Sequence, residues 1–414
     1  MAGTDPPYPA SNKMNFPRLI YIGAVPIQHT VAGSTLLFRN LQMYPPEKLL
    51  ICELAEVSTP NRRLSRANYV HLPLGARHLA HTRFAGISSV WRQASTRSMV
   101  KKVIRVAQTF HPEAVLTVAH GWSWHTAALV AKKLKLPLHL IVHDHPPLSC
   151  DLPKALQFWT ERRFQKIYQL ATSRLGISPW MENYYRGKYG VAGSYLFPTR
   201  AADAPVYVEP PKPRAGKPFT VGFAGTITDG YAKALRTAAN VLQPLGGQIL
   251  IYSGVNEKWI ARLGLGLPNI SIRPVVPYRQ LLEELRTKAD LLFLPLSFSP
   301  ADHIRMITSF QSKLADYTIT GLPILIYGPE YASAVRWARQ NQGVAEVVDT
   351  ENAEALATAL LRLRSDDALR GQLGKKSSEV GARIFSGETA ASIFADHLYC
   401  RGNKTADPQP ERRQ

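Results

Sequence analysis

Cysteine is scarce: Cys52, Cys150 and Cys400 lie far apart in a chain of 414 residues. Their odd number argues against a disulfide framework, and their spacing makes no metal motif. No apolar run approaches the roughly 20 residues of a membrane-spanning helix. The start, Met1 to Pro17, is polar and proline-rich, with no apolar core behind a basic stretch, so no signal peptide is expected. Neither a collagen-like glycine period nor a heptad run is present. These absences point to a cytoplasmic protein. Acidic residues are also few, with 30 Asp and Glu against 50 Lys and Arg, a net charge of +20. From Val57 to Pro112 there are none, while Arg62, Arg63, Arg66, Arg77, Arg83, Arg92, Arg97, Lys101, Lys102 and Arg105 fall there and supply half of that net charge. A solvated face ordinarily mixes signs, so the bias points to an anionic partner.

Apolar types make up 45% of the chain, enough for a large core, and the length suits two or three domains. Short apolar runs alternate with amphipathic stretches. Strands are predicted at 18–23, 49–54, 114–119, 138–143 and 174–177, with helices at 33–44, 95–110, 124–135 and 152–172 between them. A proline-rich stretch over 201–217 breaks the rhythm and reads as a linker. Strands then return at 219–224, 248–252, 269–273, 290–295, 323–327 and 345–348. Helices are expected at 231–242, 278–287, 309–320, 331–341, 353–364 and 388–399. Alternation of this kind implies parallel sheets covered on both faces. The expected organisation is a flexible start (1–17), a Rossmann-like domain (18–200), the linker, and a second Rossmann-like domain (218–385). A last helix (386–400) crosses back to the first domain, and a polar tail (401–414) follows. In such sheets ligands bind at the strand C-termini.

The strongest local signal is SFQSKLADYTITGLPILIY, Ser309 to Tyr327. Ser309, Ser312, Lys313 and Asp316 fall near the start of the predicted helix, where free N–H groups and partial positive charge favour phosphate. Lys313 adds a full charge, and Asp316 can accept from ribose hydroxyls. A merely capped helix is the competing reading.

Gln311-Ser312-Lys313-Leu314-Ala315-Asp316-Tyr317 followed by Gly321 and Pro323 resembles the nucleotide-sugar segment of the retaining, family-4-like glycosyltransferases of GT-B fold. Similar too are the turn Phe223-Ala224-Gly225-Thr226-Ile227, the stretch Val275 to Leu281 with Pro277 and Tyr278, the strand Ala289 to Pro295, and Gln342-Gly343. The resemblance implies two Rossmann-like domains facing across a cleft. It implies a nucleotide-sugar donor on the C-terminal one, a glycan or lipid-linked acceptor on the N-terminal one, retention of anomeric configuration, and no cofactor or essential metal. Thr308 and Asp316 stand where the family has paired glutamates. No Arg follows the first C-terminal turn, and Lys233 matches the family's lysine only loosely. Arg305 or Lys313 would then carry the diphosphate charge. A non-catalytic nucleotide-sugar binder and a sugar-nucleotide epimerase are the alternatives.

In the N-terminal half, Gly33 and Ser34 open a helix after the first strand, as an anion loop or as ordinary capping. His120 ends one strand, and His143, Asp144 and His145 end another. The resemblance implies a histidine near the sugar at the first of these ends. The second reads either as a catalytic group or as a turn capped by Asp144. Trp122, Trp124 and His125 line an acceptor pocket or belong to the core. No metal site is expected among them. Arg97, Lys101 and Arg105 recur every four residues on one predicted helix, with Phe84 and Trp91 upstream. That face suits an anionic membrane or lipid-linked acceptor. Solubility is the plainer reading, and nucleic acid is not expected, because no nucleic-acid module is recognisable.

Overall fold

The structure, a computed structural model, describes residues 16–28, 32–54, 63–72, 90–91, 93–146, 154–212, 214 and 216–399. The start before Phe16, Cys150, Cys400, the tail from Arg401, and Arg62, Arg77, Arg83, Phe84 and Arg92 of the basic window lie outside these residues. The chain forms two compact units. Among the described residues Phe197–Ala390 makes one, and those up to Leu196 make the other together with those from Ala391 onward.

In the N-terminal unit the elements run β1 (Leu19–Gly23), α1 (Ala32–Leu41), β2 (Leu49–Glu53), β3 (Asn68–His71), α2 (Thr96–Phe110), β4 (Ala114–Val118), α3 (Ser123–Leu134), β5 (Leu138–Val142), α4 (Lys154–Leu170), β6 (Ser173–Gly176), α5 (Pro179–Tyr189) and β7 (Ser194–Tyr195). The strands form a parallel sheet in the order β3-β2-β1-β4-β5-β6-β7, with Ile20 opposite both Leu50 and Val115. β1, β2, β4 and β5 are buried at every residue, as expected for strands covered on both faces. The order reverses between β1 and β4, which makes their C-terminal ends the switch point where ligands bind in open α/β sheets. α3 lies over β1 and β4 and packs against α2 and α4.

The C-terminal unit runs β8 (Thr220–Ala224), α6 (Asp229–Leu242), β9 (Gln248–Tyr252), α7 (Glu257–Arg262), β10 (Ile270–Arg273), α8 (Tyr278–Lys288), β11 (Leu291–Pro295), α9 (His303–Thr308), α10 (Lys313–Tyr317), β12 (Ile324–Tyr327), α11 (Ser333–Gln340), β13 (Glu346–Val348), α12 (Ala353–Ser365) and α13 (Asp367–Ile384). Its sheet is parallel, ordered β10-β9-β8-β11-β12-β13. Phe223, Leu235, Ile251, Phe293 and Leu360 are core residues, joining β8, α6, β9, β11 and α12. α14 (Gly387–Tyr399) begins in this unit, and its residues from Ala391 belong to the other.

The helix expected over 309–320 is a correction. α9 ends at Thr308, Ser309 is extended (φ −84°, ψ 142°), and its carbonyl accepts from the Ser333 hydroxyl. That carbonyl is therefore held by α11, and the chain re-enters a helix only at Lys313, through short-range bonds such as Leu314 N–H to Gln311 O at 3.0 Å.

Candidate functional site

The C-terminal sheet edge is built around one lysine. Gly225 follows β8 at φ 126°, a backbone region that side chains rarely enter. A Cβ there would lie 2.5 Å from Lys313 Cε. The glycine thus leaves the passage that the lysine occupies. The Lys313 ammonium lies 5.3 Å from the ring centroids of both Phe223 and Tyr231 and makes no hydrogen bond or ion pair among the described residues. Burial lowers its pKa to about 8, against the opposing charge of Asp316. It remains a cation at neutral pH, partly desolvated and without a carboxylate partner.

Asp316 accepts from the Tyr278 hydroxyl at 2.9 Å, which ties the start of α8 to α10. Tyr317 accepts from the Ala224 N–H at 3.0 Å and so fixes α10 against the end of β8. Arg200 donates to the carbonyl and hydroxyl of Thr318 at 3.0 and 3.1 Å; its Nε is buried without a partner. Burial lowers its pKa, while Tyr278 and Asp316 raise it. Arg200 was not among the sequence candidates, because only the fold brings it to Asp316.

The other candidates fall at different distances from this lysine. Ser309 and Ser312 are half-buried on the segment leading into α10, and Thr226 and Pro277 are exposed. Arg305 is exposed on α9 and pairs with Asp302 at 3.0 Å, and Lys233 pairs with Glu351 at 2.7 Å. Thr308 is fully buried and donates to the Ile304 carbonyl at 2.7 Å. A cavity of about 410 Å³ opens along the same edge, lined by Asp229, Gly230, Lys233, Ser297, Phe298 and Tyr327.

In the N-terminal unit the switch point gathers Gly33, His120, His143 and Asp144. A Cβ on Gly33 would sit 3.7 Å from His143 Nδ1, so the start of α1 abuts the imidazole at the end of β5. Burial lowers the His143 pKa to about 4; Asp144 opposes the shift and His120 adds to it. His143 is therefore neutral at pH 7. His120 is exposed at the end of β4, in a turn pinned by Ser123 Oγ donating to its carbonyl at 3.1 Å and Trp124 Nε1 donating to the Gly121 carbonyl at 2.6 Å. Ser34 is buried. Trp122 and Trp124 are core, the latter edge-on to Phe164 with centroids 5.6 Å apart.

Two carboxylates missed in the sequence organise this edge. Glu53, fully buried at the end of β2, accepts from the Ile27 N–H at 3.0 Å and from Arg63 at 2.9 Å, and so holds the loop after β1. Burial raises its pKa despite these partners. Glu161 of α4 pairs with His145 at 3.3 Å and Lys188 at 2.8 Å, which lowers its pKa to about 2. His145 also meets the Tyr185 hydroxyl at 3.0 Å, so this histidine is a buried anchor behind Asp144. A polar residue closing an apolar strand, as in Leu49 to Glu53, was the available signal for the first; the second pairing is long-range.

No protein-family profile matches the chain, and no curated protein matches it in sequence. Solved structures do share its fold. HepE of Anabaena, in complex with UDP and glucose, aligns with a TM-score of 0.66 at 12% identity, covering 92% of this chain and 98% of that one. Sucrose-phosphate synthase from Thermosynechococcus elongatus gives 0.64 at 13% identity, over 91% and 97%. An α,α-trehalose-phosphate synthase (UDP-forming) from Burkholderia vietnamiensis gives 0.62 at 11%, over 92% and 99%. The fold is GT-B, built from two Rossmann-like units, as the sequence resemblance implied.

Proposed function

We propose that the protein is a glycosyltransferase that moves a sugar from a nucleotide-sugar donor to an acceptor. The observation that carries this reading is the half-buried Lys313 beneath Gly225 at a strand C-terminus, without an ion pair and with Asp316 oriented nearby by Tyr278. A partly desolvated cation that feels Asp316 but forms no ion pair suits a diphosphate, and a tethered carboxylate suits vicinal ribose hydroxyls. The fold's likeness to structures holding UDP, or UDP with glucose, supports the same reading.

In the proposed reaction the bond from the anomeric carbon to the diphosphate oxygen breaks, and the leaving group takes the electron pair. The acceptor hydroxyl oxygen bonds to that carbon, and its proton passes to the departing diphosphate oxygen. Lys313 offsets the charge growing on the diphosphate. His143, with its pKa lowered to about 4, suits hydrogen bonding to the sugar better than proton abstraction at pH 7. His120, exposed beside it, is assigned to the reacting sugar. The chain's own donors are given the charge-stabilising role, with no metal required.

Retention, a hexosyl donor, and a saccharide or lipid-linked glycan acceptor in cell-surface polysaccharide synthesis complete the proposal. The site of action would be cytoplasmic, with peripheral attachment at the inner face of the membrane. Among the described residues no helix is long and apolar enough to cross one.

One observation favours a second reading, a nucleotide-sugar binder without turnover. Thr308, standing where the resembling family has its first glutamate, spends its hydroxyl inside α9. An assay of nucleotide release and sugar transfer, with and without a lipid extract as acceptor, separates the readings. Transfer that depends on acceptor supports the transferase. Isomerised sugar without acceptor supports the epimerase, and binding without turnover supports the binder.

A further inference from the structure

The helix layer α2, α3 and α4 covers one region of the N-terminal unit, with α3 packed against both neighbours. These helices carry four, two and four Lys or Arg residues, and Glu161 is their single carboxylate. Glu161 is occupied by His145 and Lys188. Arg97, Lys101, Lys102 and Arg105 are all exposed on α2, and Lys132 and Lys133 on α3, with no ion pair to any of them among the described residues.

The outer face of α4 is different in kind. Phe158 is 58% exposed, Trp159 63% and Leu170 81%, and Arg162 and Lys166 lie between them on the same face. Phe158 and Trp159 meet edge to face at 6.1 Å, and the Arg162 guanidinium sits 5.1 Å from the Phe158 ring. The Gln93 amide lies against the Arg163 guanidinium and, with its oxygen and nitrogen exchanged, accepts from it, which sets the segment before α2 beside α4. Trp91, two residues earlier, is 50% exposed. Large exposed aromatics in water are costly unless something covers them.

We propose that this layer docks on an anionic lipid bilayer, with Phe158, Trp159 and Trp91 entering the headgroup region and the exposed cations of α2 and α3, with Arg162 and Lys166 of α4, facing the lipid phosphates. Tryptophan and phenylalanine edged by Arg and Lys, with no free carboxylate, are the composition of an interfacial helix. A nucleic-acid groove would call for cations with stacking residues set along a track; here Phe158 and Trp159 adjoin on α4, Trp91 stands apart before α2, and the cations spread over three helices. The inference extends the expectation for Arg97, Lys101 and Arg105 by adding an apolar anchor. It depends on no part of the donor site.

The test is flotation of the full chain with vesicles of phosphatidylglycerol and phosphatidylcholine, and with phosphatidylcholine alone. The mixed vesicles should carry the protein at low salt and release it near 1 M salt, where the Debye length falls to about 3 Å. Tryptophan emission should shift to the blue on binding. The Phe158→Ser/Trp159→Ser double variant should partition about tenfold or more weakly, because two aromatic side chains no longer leave water. The Arg97→Glu/Lys101→Glu/Arg105→Glu variant should not float. No binding to the mixed vesicles overturns the proposal, as does equal binding to neutral ones. Undiminished binding by the double serine variant removes α4 as the anchor. Binding of duplex RNA in place of vesicles would assign the face to nucleic acid.

Discussion

In the N-terminal unit, burial brings His125, His139 and His143 each down to a pKa of about 4, while in the C-terminal unit it brings Lys313 only to about 8. The physical cause is the same, desolvation of the charged form. The outcome at pH 7 is opposite, because histidine starts near 6.5 and lysine near 10.4. One unit holds neutral imidazoles, of which His143 lies at the switch point, and the other keeps a cation ready for an anion. The difference matches the division proposed between a reacting sugar and a diphosphate.

The largest expected effect follows from the histidines. In the unfolded chain they take protons below about pH 6.5, and in the folded chain only near pH 4. Folding stability is therefore fully present above pH 6.5 and falls as pH drops through that window. With three such groups the slope reaches up to about 4 kcal/mol per pH unit. Urea midpoints followed by tryptophan emission, in a Trp259→Phe/Trp337→Phe variant that silences the C-terminal unit, should fall steeply between pH 6.5 and 4. A midpoint flat over that range would break the comparison.

His120→Ala should come next, with turnover lowered on the order of a hundredfold and donor affinity within about twofold, as for a group acting only on the reacting sugar. An unchanged kcat with the native acceptor would take His120 out of the site. Gly225→Ala should be smaller, on the order of 1–3 kcal/mol of stability, because an alanine must adopt φ 126° and meet Lys313 Cε at 2.5 Å. Its donor affinity should fall together with stability, while His120→Ala leaves both in place. A Gly225→Ala protein with wild-type melting and donor affinity would contradict the close passage described here.

Much of this was legible beforehand. β1, β4, β5, β8 and β11 stand within one residue of the apolar runs that announced them, because a strand buried on both faces must be apolar throughout. Gly225, Tyr278, Lys313 and Asp316 were all named and are drawn together. α13 was not foreseen: Gly371, Gly374 and Gly381 weaken its helical signal. Packing explains two of them, since a Cβ on Gly374 would lie 2.0 Å from the Gly321 carbonyl oxygen and one on Gly381 2.1 Å from Thr318 Oγ1. α5 carried plain signals, with Ser178 capping, Pro179 in the first turn and Glu182 following, and was overlooked. β3 is a half-exposed edge strand with too little apolar contrast to show. Arg200, Glu53 and Glu161 act through partners distant in sequence, which no local pattern encodes.

The most direct test is calorimetric titration of wild type and Lys313→Met with UDP-, GDP-, ADP- and TDP-sugars at pH 7 and pH 9. At least one donor should bind wild type at pH 7 in a one-to-one ratio. Lys313→Met should lose roughly 1.5–3 kcal/mol of that affinity, the value of a charge-assisted contact. Wild-type affinity should weaken at pH 9, above the pKa of about 8 at which the free protein's lysine gives up its proton, and the variant should show no such drop. Failure of every nucleotide sugar to bind, or equal binding by Lys313→Met, would contradict the account.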